Sequence, residues 1–139
     1  MTPSEIQLVK TSFAAVVPIS TQAGELFYKR LFEIDPSLRA MFAEDMTEQT
    51  QKLMQVLATV ANGLDRLDTL VPAIERLGAK HVAYGVKDQH YDTVGKALIW
   101  TLAQGLGEAF TQEVKEAWLT AYFVLASTMK AAAQKSSAA

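Results

Sequence analysis

The chain has 139 residues, half of them apolar and a fifth charged, with a formal net charge of −2 and no cysteine. That length makes one domain, able to bury roughly 70% of its unfolded surface without a disulfide or metal staple. The absent thiols exclude disulfides, iron–sulfur clusters, thiolate-ligated metals and zinc fingers, and the near-neutral charge offers no basic face to nucleic acid or an anionic membrane.

The elements follow from helix punctuation in chain order. Thr2-Pro3-Ser4-Glu5 reads as a capping box with proline at the first helical position, opening a helix whose face carries Ile6, Val9, Phe13 and Val16 and which stops near Pro18. A second helix is predicted over 20–34, with Leu26, Phe27, Leu31 and Phe32 apolar. Asp35-Pro36 opens a short helix to Phe42. Asp45, followed by Glu48, leads into a helix over 49–62 that Gly63 ends. Pro72 is read as the start of the next, over 73 to about 84, closed by Gly85. Asp88 caps a long helix through Leu102, ended by Gly105 and Gly107, and Thr111 caps the last, from 112 to about 133, with residues 134–139 frayed. No alternating Val/Ile/Thr run appears, so no strand is predicted. About seven helices of uneven length in one domain, 1–139, suit an all-α packing around a cofactor better than a symmetric four-helix bundle. The opening MTPSEIQLVK lacks the basic start and apolar run of a signal peptide, and no stretch approaches 18 apolar residues. A cytoplasmic protein is therefore expected, a monomer or weak homodimer, with neither nucleic acid nor membrane as partner.

Three polar side chains fall on stripes that periodicity assigns to the core. His81 continues Ile74, Leu77 and Gly78; Gln49 heads Leu53, Val56, Leu57 and Val60; Tyr28 lies between Gly24 and Leu31/Phe32. Burying such groups is costly unless they find partners. Two readings are open. Either each is satisfied locally by a carbonyl or water, or the three converge on one interior ligand, His81 binding it while Tyr28 and Gln49 supply hydrogen-bond donors opposite. Gly78, one turn before His81, would let something flat approach the helix.

His81 and His90 are the only histidines, and neither an HExxH nor an ExxH pattern is present. One imidazole cannot hold a free metal ion in a closed protein site, but it can hold haem, whose porphyrin supplies four ligands. Other signals are weaker. His90 lies off its helix's apolar stripe and reads as a surface residue; Trp100 and Trp118 read as core; Lys10, Lys29, Arg30, Lys96 and Lys115 read as solvated. Gly105-Leu106-Gly107 follows a helix rather than a strand and is no dinucleotide fingerprint.

LFYKRLFEIDPSLRAMF and LGAKHVAYGVKDQHYDTVG, with spacings of 14 from Tyr28 to Phe42 and 7 from Phe42 to Gln49, resemble the single-domain bacterial globins related to the haem domain of flavohaemoglobins. The likeness covers essentially the whole chain. KLMQVL and YGVKDQHY are especially similar to the Hell's Gate type of globin from methane-oxidising bacteria. The resemblance implies a globin fold around haem b, with His81 as proximal iron ligand and Phe42 stacked on the porphyrin. It makes Tyr28 and Gln49 the distal polar pair, with Leu53 walling the distal pocket, and puts Val86 and Tyr91 on the proximal side. Lys52 would reach the pocket mouth, either pairing with a haem propionate or staying solvated. In flavohaemoglobins a tyrosine and a glutamate flank the proximal histidine; Tyr91 is present here, but the glutamate position falls at Ala133, which puts the electronic push on the iron in doubt.

The function so implied is reversible binding of dioxygen, carbon monoxide or nitric oxide. The alternative is nitric oxide dioxygenation, which with no reductase domain in these 139 residues would need a separate reductase. Oxygen sensing is a third reading, with no fused output domain to support it.

Overall fold

The computed structural model describes residues 1–83 and 86–138. Six α-helices occupy them: α1 (Pro3–Val16), α2 (Ser20–Ile34), α3 (Thr47–Gly63), α4 (Leu67–Ala83), α5 (Asp88–Leu106) and α6 (Gln112–Ala138). A six-residue 3-10 helix, Pro36–Met41, lies between α2 and α3, and shorter 3-10 turns follow α1, α3 and α5. No strand occurs among the described residues.

The caps are those that the side chains dictate. The Thr2 hydroxyl accepts from the Glu5 amide at 3.1 Å and the Glu5 carboxylate accepts from the Thr2 amide at 3.0 Å, so two amides that α1 cannot use internally are satisfied reciprocally. Asp35 accepts from the Ser37 amide, Asp45 from the Thr47 amide and Thr111 from the Val114 amide. After α5 the chain turns at Gly107, whose φ of 55° only glycine adopts without strain at that ψ.

Several boundaries differ from expectation: α3 starts at Thr47, two residues early, and α5 continues through Gly105 to Leu106. Helix α4 begins at Leu67, upstream of Pro72, which sits inside it and removes one backbone donor. Packing overrides the punctuation: the Leu70 side chain fills the space that Gly63 leaves open, within 3.0 Å of where a Cβ would stand. Helix α5 takes its cap from His90 rather than Asp88, because the Lys87 amide donates to His90 Nδ1 at 2.9 Å. Helix α6 runs past Ala133 to Ala138. The expected close of α4 at Tyr84 and Gly85 lies outside the described residues.

Helices α1, α2, α3, α5 and α6 share one core, in which Val9, Phe13, Phe27, Leu31, Leu98 and Trp118 are buried. Trp118 donates its indole N–H to Ser12 Oγ at 2.8 Å, and the Ser12 hydroxyl donates in turn to the Leu8 carbonyl at 2.7 Å. Helix α4 joins a second, smaller cluster instead, formed by Ile74 with Tyr91, Leu125, Ala126 and Met129. Its most extensive contact is with α6. Gly78 makes that seat possible: a Cβ at Gly78 would stand 2.5 Å from the Met129 carbonyl oxygen and 2.8 Å from its Cα. The missing side chain therefore admits the α6 backbone, not a flat ligand as its place before His81 suggested.

We expect Gly78→Ala to destabilise the fold by about 1–3 kcal/mol through overpacking against backbone, despite the roughly 1 kcal/mol that alanine gains in helix propensity. Urea denaturation checks this; a variant as stable as the parent would contradict the close-contact account.

Candidate cofactor site

The site begins at a helix crossing. Gly24 on α2 faces Thr50 on α3, and a Cβ on Gly24 would collide with the Thr50 side chain. That close approach brings together residues one turn on and one place back: Gln49 Nε2 donates to the Tyr28 hydroxyl oxygen at 3.2 Å. The bond occupies an acceptor lone pair of the phenol and leaves its own O–H to donate elsewhere. Tyr28 is edge-on to Phe27 and Phe42, with ring centroids 5.0 and 5.5 Å away. Burial among these rings raises the Tyr28 pKa above its ordinary value, against the opposing pull of the Gln49 bond. Phe42 itself is held by the turn before it, where Arg39 donates to the carbonyls of Ala43 and Glu44 at 2.9 and 3.0 Å.

Helix α4 supplies the imidazole. His81 Nδ1 lies 2.8 Å from the Leu77 carbonyl one turn back. A carbonyl can only accept, so the proton is on Nδ1 and the lone pair on Nε2, the tautomer a metal-ligating histidine needs. Burial lowers the His81 pKa, and the Leu77 bond opposes that only in part. The ring is thus neutral at pH 7. The Val86 amide, in turn, donates to the His81 carbonyl at 3.0 Å.

Tyr28, Phe42, Gln49, Leu53 and His81, with Val86 and Tyr91, all line one predominantly apolar cavity of about 170 Å³ between the main core and α4. Lys52 does not. It lies on an adjoining cleft between α3 and α4, exposed and paired with Glu48 at 3.3 Å. Tyr91 is 7% exposed, and its hydroxyl is buried with no hydrogen-bond partner among the described residues. Its carbonyl accepts from the Tyr122 hydroxyl at 2.6 Å, and the Lys130 ammonium lies 5.4 Å from its ring centre.

Sequence reasoning missed two lining residues. His90 reads as a surface residue from its stripe, yet it is half-buried and lines the cavity; the signal was its place three residues after the cap Lys87, which turns the ring inward against the backbone. Tyr122 also lines the cavity, and nothing in its helical spacing distinguishes it from ordinary core. Three other readings change, the first being that Lys10, expected to be solvated, is half-buried and paired with Asp65 at 3.0 Å. Trp100 is half-buried rather than core and carries the Arg30 guanidinium 5.2 Å above its ring. Arg30 is accordingly not simply solvated, and its Nε is buried.

Comparison with known proteins places this architecture. Residues 25–129 match the Globin family. The chain is 34% identical over 131 residues to a flavohemoprotein of Vibrio cholerae, an alignment covering 91% of this chain and 33% of that protein. It is 32% identical over 136 residues to a neuroglobin of Danio rerio, covering 88% and 86%. An engineered carbene transferase from Rhodothermus marinus, itself a proposed nitric oxide dioxygenase, superposes with a TM-score of 0.89 at 29% identity, covering 99% of this chain and 96% of that one. The chain belongs to the globin family. It is related to flavohaemoglobins and to globins resembling nitric oxide dioxygenases, and it spans about a third of the flavohemoprotein's length. No helix among the described residues is long and apolar enough to cross a membrane.

The fold family implies haem, and the donor set fits it: walls that are mostly apolar, a neutral imidazole of the right tautomer, and a buried phenol hydroxyl with no partner among the described residues.

The tyrosines make a pH prediction. Tyr28, Tyr91 and Tyr122 all have pKa values raised, chiefly by burial. An unfolded chain ionises them near 10 while the folded one does not, so stability holds below pH 10 and falls as pH rises above it. Urea midpoints measured from pH 7 to 11 should show that fall, shallower in Tyr122→Phe. An identical decline in the variant would contradict the assignment.

Proposed function

We propose that the chain holds haem b with His81 as the iron ligand and binds dioxygen, carbon monoxide and nitric oxide reversibly. The observation that carries this reading is the meeting, in one apolar cavity, of an imidazole of fixed tautomer from α4 with a phenol–amide pair from α2 and α3. Phe42, Leu53, Val86 and Tyr91 would line the cofactor. Haem supplies an iron at which a diatomic gas binds reversibly. The protein supplies the rest.

Leu77 holds the imidazole in register for the metal. The Tyr28 oxygen accepts from the Gln49 amide, so its O–H would remain to donate a hydrogen bond to a polar diatomic ligand. Burial keeps that phenol protonated at any physiological pH. Phe27, Phe42 and Leu53 keep water from the ligand. Lys52 is engaged with Glu48, and its pairing with a propionate would require that ion pair to open. A hydrogen bond to a group bearing charge contributes about 1.5–3 kcal/mol, or roughly 10- to 150-fold in ligand release.

His81→Ala should abolish stable haem incorporation, read as loss of the Soret band. Tyr28→Phe should speed oxygen dissociation about tenfold or more, measured by stopped-flow displacement with carbon monoxide. An unchanged rate would move the stabilising role away from Tyr28.

Likeness to flavohemoprotein over 91% of the chain, and to the Rhodothermus marinus structure, supports a second reading. In it, dioxygen, nitric oxide and one electron from a separate reductase give nitrate. The two separate in one assay. Repeated nitric oxide consumption once a reductase is supplied marks the enzyme, and a single stoichiometric burst marks the gas-binding protein.

A further inference from the structure

We infer that His90 is the cavity's donor for a carboxylate of the bound porphyrin, fastening one propionate at the start of α5. The inference rests on the haem reading above and concerns a residue outside the iron-ligating and gas-contacting set.

The polar groups that line the cavity are few, and most are already committed. Gln49 donates to Tyr28, His81 Nδ1 to Leu77, and the Tyr122 hydroxyl to the Tyr91 carbonyl. A haem brings two carboxylates into this apolar cleft, and a carboxylate there needs a hydrogen-bond donor or water. Apart from the Tyr28 O–H, which the proposed function assigns to the gas, two lining side chains have a donor with no described acceptor: the Tyr91 hydroxyl and the His90 imidazole.

Their placement distinguishes them. The Tyr91 oxygen is fully buried, where an ionised carboxylate would be strongly disfavoured. His90 is half-buried at the cavity's edge, where one carboxylate can meet protein and solvent together. The capping bond then sets the tautomer. The Lys87 amide donates to His90 Nδ1 at 2.9 Å, so Nδ1 is the acceptor and a neutral ring must carry its proton on Nε2. The same bond that starts α5 thereby makes His90 a fixed donor, positioned by a helix terminus rather than by a flexible stem. Lys52, the other candidate, is exposed, flexible and already paired with Glu48.

The test separates the cap from the carboxylate contact. Apoprotein of the wild type, His90→Leu, His90→Glu and His90→Gln is reconstituted with haem and, in parallel, with haem dimethyl ester. Loss of each cofactor to excess apomyoglobin is then timed. A glutamate three residues after the cap can still accept from the Lys87 amide but repels a carboxylate, whereas glutamine can both accept and donate. With haem, His90→Leu and His90→Glu should release roughly tenfold faster than wild type, and His90→Gln within about threefold of it, as loss of one hydrogen bond to a charged group predicts. With the dimethyl ester, the wild type and His90→Glu should converge. Equal haem release from wild type and His90→Glu would overturn the inference. So would a ratio unchanged by esterification, because His90 would then act through α5 alone. An apoprotein that takes up neither cofactor would instead overturn the haem reading on which the inference stands.

Discussion

The structure depends on where α4 rests. Here Gly78 lets α4 seat against the backbone of α6 at Met129, and α4 joins Leu125, Ala126 and Met129 in a cluster apart from the main core. Space is left between that cluster and the phenylalanine-rich wall of α2. A second close approach, Gly24 against Thr50, sets the other wall and fixes the spacing between Tyr28 and Gln49. Two missing side chains thus define the opposite sides of the cavity. Close packing keeps such a void from arising by accident, since an unfilled interior forfeits dispersion contacts along its whole lining.

The chemistry of the cavity follows from the scarcity of polar atoms in it. Burial raises the Tyr28 phenol pKa and lowers that of the His81 imidazole, so both groups are neutral at pH 7. Each is oriented by one hydrogen bond: the phenol by a neighbouring helix, the imidazole by its own. Two neutral, oriented groups are thus brought to the lining of one predominantly apolar cavity. On the α5 side, the buried Tyr91 hydroxyl has no hydrogen-bond partner among the described residues.

Much of this was legible in the sequence, for identifiable reasons. Thr2, Asp35 and Thr111 act locally, so their caps can be read from neighbouring residues; Asp45 instead closes a turn onto the Thr47 amide, one residue before the cap Met46. Tyr28, Gln49 and His81 stood out because each interrupts an apolar stripe, and a polar group in that place demands a partner. What escaped depended on tertiary contacts. Pro72 reads as a helix start until Leu70 is seen to sit over Gly63. Gly78 reads as room for a ligand until the α6 backbone is placed against it. His90 lies off its stripe and reads as solvated, because helical periodicity registers where a side chain leaves the helix and not the ring that a capping bond folds back.

Absorption spectroscopy of the purified protein, or of apoprotein reconstituted with haem, tests the central claim most directly. Spectra would be recorded in the ferric state, after dithionite reduction, and after adding carbon monoxide. The account predicts a Soret band that shifts cleanly with carbon monoxide in the wild type and is lost in His81→Ala. Absence of a haem band after reconstitution, or an unchanged carbon monoxide spectrum in His81→Ala, would contradict it.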